Sequence, residues 1–135
     1  MSEPVWLDED LVLAIHDRLL VEHGGAGGLR DESLLQSALA RPLNRIAYAS
    51  SDIIELAATY TTGIVQNHPF IDGNKRTGFV IGVLFLELNG YQFTASEEAA
   101  AQAVLELAAG KINENAFCEF LRANVKQYSF GIEPV

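Results

Sequence analysis

Apolar residues along this chain recur at helical spacing, and the period-two alternation of strands is nearly absent. Leu11, Ile15 and Leu19 fall every four positions behind Asp8, a suitable N-cap, and predict an amphipathic first helix. A glycine-rich loop, Gly24-Gly25-Ala26-Gly27-Gly28, follows. A shorter second helix is predicted from Asp31 to Ala40, stopping before Pro42 because the residue preceding a proline avoids the α region. Ser51 or Asp52 can cap a third helix, in which Ile53, Ala57, Tyr60 and Ile64 form one apolar line and Ile54, Thr61 and Val65 a neighbouring one. Pro69 should end it near His68.

From Asn74 or Lys75 to Leu88 the chain is apolar on every side, the pattern of a helix packed on all faces at the centre of a core. Asn89-Gly90 ends it as a left-handed C-cap would. Tyr91 to Thr94 reads as extended or turn-like. Helices are then predicted over Glu97–Ala109 and, capped by Asn113, over Glu114–Val125, where Phe117, Phe120, Leu121 and Val125 share a face. The expectation is an all-α domain spanning residues 1–135, with six helices around a buried central one.

The 135 residues suit one domain, and 49% apolar with 20% charged residues suits a folded globular chain. The longest apolar stretch, Phe79 to Leu86, is far shorter than the ~20 residues that span a bilayer. The first ten residues carry four acids and no Lys or Arg, the reverse of a secretion signal, so the expected location is the cytoplasm, with no membrane partner. Cys118 is the only cysteine, which rules out an internal disulfide and suggests a buried, inert thiol. Nine cationic against eighteen acidic side chains give a net charge of −9, which argues against direct nucleic-acid binding.

Against that acidic background, Lys75 and Arg76 are the only Lys or Arg between Ile46 and Gly110. They fall in the first turn of the apolar helix, where the helix dipole already places about +0.5 charge. A cation pair there breaks a local rule unless an anion is bound. The first N–H groups of a helix lack intrahelical partners, and Gly73 lets a ligand approach the backbone, so the region suits a phosphate. His68, just upstream, can act as a general base near neutral pH. Asp72 can cap the helix or hold the Mg²⁺ that accompanies nucleotide phosphates. The chain has no GxxxxGK(S/T) and no complete GxGxxG, so the common nucleotide folds find no support. His16 and His23 lack any metal-ligand spacing and read as packing or surface residues.

His68-Pro69-Phe70-Ile71-Asp72-Gly73-Asn74-Lys75-Arg76 resembles the Fic signature HPFx(D/E)GN(G/K)R, with lysine after the asparagine as in the Doc (death-on-curing) toxin branch. The stretch Gly28-Leu29-Arg30-Asp31, with Leu34-Leu35 and Ser37 to Pro42, is similar to the N-terminal part of Doc toxins, and the resemblance extends over residues 7–125. It implies a toxin of a toxin–antitoxin pair that uses ATP and Mg²⁺. His68 would be the general base and Asp72 the Mg²⁺ ligand. Gly73 and Asn74 would form an anion hole, Lys75 and Arg76 would bind phosphates, and Phe70 would anchor the loop. Members that transfer AMP usually carry glycine at the position of Lys75 and arginine at that of Phe79. Lysine there implies reversed ATP binding and protein phosphorylation, with a threonine of elongation factor Tu as the target of the branch. AMP or nucleotidyl transfer, or a silent module that holds its antitoxin, are the alternative readings.

Fic proteins are commonly restrained by an (S/T)xxxE(G/N) helix. Ser51 to Glu55 is followed by Leu56 and Thr94 to Glu98 by Ala99, so neither completes the pattern. Restraint is therefore expected in trans, from a Phd-like antitoxin laid into an apolar groove near the site.

Overall fold

A computed structural model of the chain describes residues 3–128, so the two ends of the expected 1–135 domain lie outside the described residues. Six helices run in order: α1 (Glu9–His23), α2 (Glu32–Tyr48), α3 (Ile53–Asn67), α4 (Asn74–Leu88), α5 (Glu97–Ala108) and α6 (Glu114–Ala123). Two three-residue strands, β1 (Tyr91–Phe93) and β2 (Val125–Gln127), pair antiparallel with Gln92 opposite Lys126. The fold is all-α, as the apolar spacing indicates, with this ribbon as its only sheet among the described residues.

The central position belongs to α3 rather than to α4. Every residue from Leu56 to Val65 is buried, whereas Phe79, Val80, Val83 and Leu84 of α4 are only half-buried and Leu88 is exposed. Bulk hydrophobicity points to α4, but the small side chains of α3 let neighbours close in from several sides. A Cβ on Gly63 would lie 3.1 Å from Ala38 Cβ of α2, and one on Gly82 of α4 would collide with Thr61 Oγ1. Thr61 Oγ1 also donates to the Gly78 carbonyl at 2.7 Å, a bond between α3 and α4 that only close approach permits.

Three other expectations are corrected. α2 does not stop before Pro42 but carries it inside the helix and runs on to Tyr48. An interior proline costs about 3 kcal/mol through its missing N–H. Here its ring is buried, and the following turn is held by Arg45, which bonds Glu114 at 2.9 Å and Glu55 at 3.2 Å. On α1 the fully buried positions are Val12 and His16, one residue beyond the predicted Leu11–Ile15–Leu19 line, and Leu11 is exposed. α6 ends at Ala123, not Val125, because Asn124 turns the chain and Val125 enters β2 opposite Phe93.

The caps follow the sequence closely. Asp52, not Ser51, caps α3 in a reciprocal box with Glu55, while Ser51 Oγ accepts from Arg45. Ser96 caps α5 and Asn113 caps α6. Cys118 is buried, and burial pushes its thiol above the ordinary range. The N-terminal segment is pinned across the fold: Leu7 N–H donates to the buried Tyr60 hydroxyl, and Val5 N–H to Asn89 Oδ1 at 2.7 Å. No helix among the described residues is long and apolar enough to cross a membrane.

Candidate active site

Where α3 ends and α4 begins, His68, Asp72, Gly73, Asn74, Lys75 and Arg76 line a cleft of about 190 Å³. Each sequence-predicted polar site residue is therefore at one place, and Phe70 lies beneath.

His68 is the C-cap of α3 in a left-handed conformation, φ 54°, the only described non-glycine residue with positive φ. Such a backbone is uncommon for histidine and persists only where its surroundings hold it. Arg30 does so. Its Nε donates to the His68 carbonyl at 2.7 Å and its NH2 group to the Asn67 carbonyl at 3.0 Å, satisfying helix-terminal acceptors with a cation. The His68 side chain itself is exposed, so the base candidate is presented to solvent from a fixed backbone.

The loop between the helices is tied on its outer side to residues 28–31. Pro69 O accepts from Arg30 N at 2.7 Å and Asp31 N at 3.0 Å, and Ile71 N–H donates to Gly28 O at 3.1 Å. Phe70 is fully buried. Asn74 is 4% exposed, and its carboxamide accepts from Phe70 N–H and donates to Phe70 O, both at 2.9 Å. That side chain is thus occupied by the loop, and Asn74 can offer an anion only its backbone N–H. Gly73, with φ 81°, sits at the N-cap position of α4, and no side chain caps the helix. Asp72 does not cap it either, because its Oδ1 accepts from Gly73 N at 2.8 Å.

The start of α4 consequently combines open N–H groups with two exposed cations. Among the described residues neither Lys75 nor Arg76 has an ion-pair partner. Asp72 Oδ2 lies 3.4 Å from Ala26 N of the glycine loop, and a Cβ on Gly25 would come within 2.8 Å of the same oxygen. Among the described residues no three acidic, His or Cys side chains cluster to hold a metal unaided. A single carboxylate beside a phosphate cradle fits Mg²⁺ that arrives on nucleotide phosphates, since this ion keeps most of its waters and needs only one or two carboxylates.

The local pattern does not announce every residue that shapes the site. His16 of α1 is 2% exposed, its ring stacks on Phe70 at 3.8 Å and 7°, and its Nε2 lies 2.8 Å from Asp72 O. Packing is the role that sequence reasoning gives it; the hydrogen bond to the loop is additional. Nothing in the sequence around position 16 signals that bond.

A family model described as Fic/DOC family matches residues 6–86. The chain belongs to the Fic/Doc family. Within it the chain falls in the Doc toxin branch: it is 34% identical over 112 residues to "Protein kinase doc" of Escherichia phage P1, covering 82% of this chain and 88% of that protein. It is also 34% identical over 92 residues to "Toxin Doc" of Mycolicibacterium smegmatis, covering 67% of this chain and 68% of that one. The matched residues 6–86 include both the motif loop and the 28–31 segment that holds it.

Proposed function

We propose that this Doc-branch toxin is an ATP-dependent protein kinase that moves the γ-phosphate of ATP onto a serine or threonine hydroxyl of a translation factor. The observation that carries the reading is the convergence of His68, Asp72 and the cationic first turn of α4 on one cleft. In the reaction His68 takes the proton of the acceptor hydroxyl as its oxygen bonds Pγ. The bond from Pγ to the β–γ bridging oxygen breaks and ADP departs. Lys75, Arg76 and the open N–H groups of α4 meet the charge that builds on the phosphates. Asp72 would hold Mg²⁺, which when bound neutralises phosphate charge. The printed names of the two relatives, a protein kinase and a toxin, support this reading. Lys75 and Phe79, where AMP-transferring members of the family carry glycine and arginine, count against nucleotidyl transfer.

Beside the cleft lies a larger, mostly apolar groove of about 410 Å³, bordered by Lys75 and Arg76 and floored by Leu19, Phe79, Val80 and Val104. Its position suits the helix or tail of a Phd-like antitoxin, and a toxin acting on translation would work in the cytoplasm.

The test is intact-mass spectrometry of elongation factor Tu after incubation with the protein, ATP and Mg²⁺, with a His68→Ala control. A gain of one phosphate that requires His68 is expected. A gain of one AMP would overturn the assignment of Lys75, and equal toxicity of His68→Ala in cells would overturn catalysis itself.

A further inference from the structure

His16 has no place in the chemistry just described, yet it touches two parts of the site's framework, the Phe70 ring and the Asp72 main chain. Its ring lies flat on Phe70, and its Nε2 approaches the Asp72 carbonyl at 2.8 Å. A Cβ on the neighbouring Gly73 would lie only 3.6 Å from that same nitrogen. The carbonyl can only accept, so Nε2 must carry the proton and donate it. The tautomer is thereby assigned by geometry. At the other ring nitrogen the only ion-pair contact among the described residues is the exposed Asp17 carboxylate, 3.9 Å from Nδ1 and beyond hydrogen-bond range.

The same turn is gripped a second time from α1's C-terminal side. Ala26 N–H faces Asp72 Oδ2 at 3.4 Å, and a Cβ at position 25 would press on that oxygen at 2.8 Å. The middle of α1 thus holds the Asp72 main chain, and the loop that follows the helix lies against the Asp72 side chain. Between them they fix where this carboxylate can point. A fully buried hydrophobe at position 16 would fill the volume equally well but would leave the Asp72 carbonyl without its donor.

We infer that His16 is a positioning residue: by donating Nε2–H to the Asp72 carbonyl it orients the Asp72 carboxylate and the Gly73 turn for Mg²⁺-nucleotide at the start of α4. The inference rests on the proposed kinase reading for the identity of the ligand. Groups that orient a metal-binding residue from behind typically change affinity by about 10–100-fold when removed.

The experiment compares wild type, His16→Phe, His16→Gln, Asp72→Ala and the His16→Phe/Asp72→Ala double variant. Binding of Mg²⁺ with a non-cleavable ATP analogue is measured by calorimetry, and fold integrity by urea unfolding. His16→Phe keeps the ring on Phe70 and loses the donor; binding is expected to weaken about tenfold at nearly unchanged unfolding midpoint. His16→Gln keeps a donor and should recover most of that loss. In the Asp72→Ala background, His16→Phe should cost less than in wild type, because only its hold on the Gly73 turn is left to lose. Wild-type affinity in a folded His16→Phe protein would overturn the inference. So would a His16→Gln variant as weak as His16→Phe, or an undiminished effect in the absence of the Asp72 carboxylate. Should His16→Phe not fold, nitrogen NMR of the wild-type ring decides: a slowly exchanging Nε2–H is expected, and an Nδ1–H tautomer would overturn the assignment. If wild type itself fails to bind the Mg²⁺-nucleotide, the kinase reading falls and this inference with it, whereas normal wild-type binding with an unaltered variant sinks the inference alone.

Discussion

Asn74 clamps Phe70 in both directions, its Oδ1 accepting from the Phe70 N–H and its Nδ2 donating to the Phe70 carbonyl. The two groups it satisfies are buried with it. Asn74→Ala therefore leaves a buried donor and a buried acceptor unpaired, at roughly 1–3 kcal/mol each when no water replaces the amide. Urea unfolding of this variant should show a loss of about 2–4 kcal/mol, and phosphate transfer should fall even where the protein remains folded. A variant as stable as wild type would show that the clamp is dispensable.

His68 combines a left-handed backbone with an exposed side chain. Asparagine tolerates that conformation better than alanine does, so His68→Asn removes the proposed base while leaving the chain path intact. Stability should stay within about 0.5 kcal/mol of wild type, and transfer should drop about 10²–10⁴-fold. Paired measurements of unfolding and single-turnover rate separate these effects.

Arg30 reaches the carbonyls of Asn67 and His68 from outside the motif. Arg30→Ala should cost about 1 kcal/mol, modest because the bonds are exposed to solvent. The catalytic loss should be larger, roughly tenfold, because a small shift of a reacting group weakens its alignment. If the rate survives while stability falls, Arg30 caps α3 without placing the base.

Far from the cleft, the Asp52 carboxylate faces Arg122 at 2.9 Å and caps α3. Burial would raise its pKa, but the Arg122 guanidinium and the Glu55 N–H outweigh burial and hold it below the ordinary carboxylate value. A group whose folded pKa is lowered stabilises fully above its unfolded pKa, about 3.9, and that contribution disappears as pH falls through the folded value. Asp52→Asn keeps a good cap and deletes only the charge. The stability gap to wild type should be about 0.5–1 kcal/mol near neutrality, persist down to about pH 5 and close below about pH 4. A gap that widens in acid would reverse the sign of this assignment.

The helices that frame the site were legible because their ends carry strong local signals. Asp52, the His68-Pro69 step, Gly73 and Asn89-Gly90 bound α3 and α4 to within a residue. The motif loop was equally legible, since its residues lie consecutively. Tertiary compensation was not. Pro42 continues a helix because its ring packs inward, and Val125 leaves one because β1 offers it a partner. The central place of α3 escaped a hydrophobicity count because alanine, threonine and glycine gain importance only through the neighbours they admit. His16 escaped for a related reason: its bond to Asp72 crosses 56 positions, and nothing within a turn of His16 signals it.

Those separations bear on when a new chain becomes dangerous to the cell that makes it. His16 meets Asp72 across 56 positions, Arg30 meets His68 across 38, and Val5 meets Asn89 across 84. Contacts this distant close only after both partners have left the ribosome, and long-range closure is slow compared with helix formation. A nascent chain therefore displays all nine motif residues before the Val5–Asn89 tie can close. Synthesis interrupted between Arg76 and Asn89 yields a fragment that carries the signature but lacks β1, α5, α6 and the tie to the N-terminal segment.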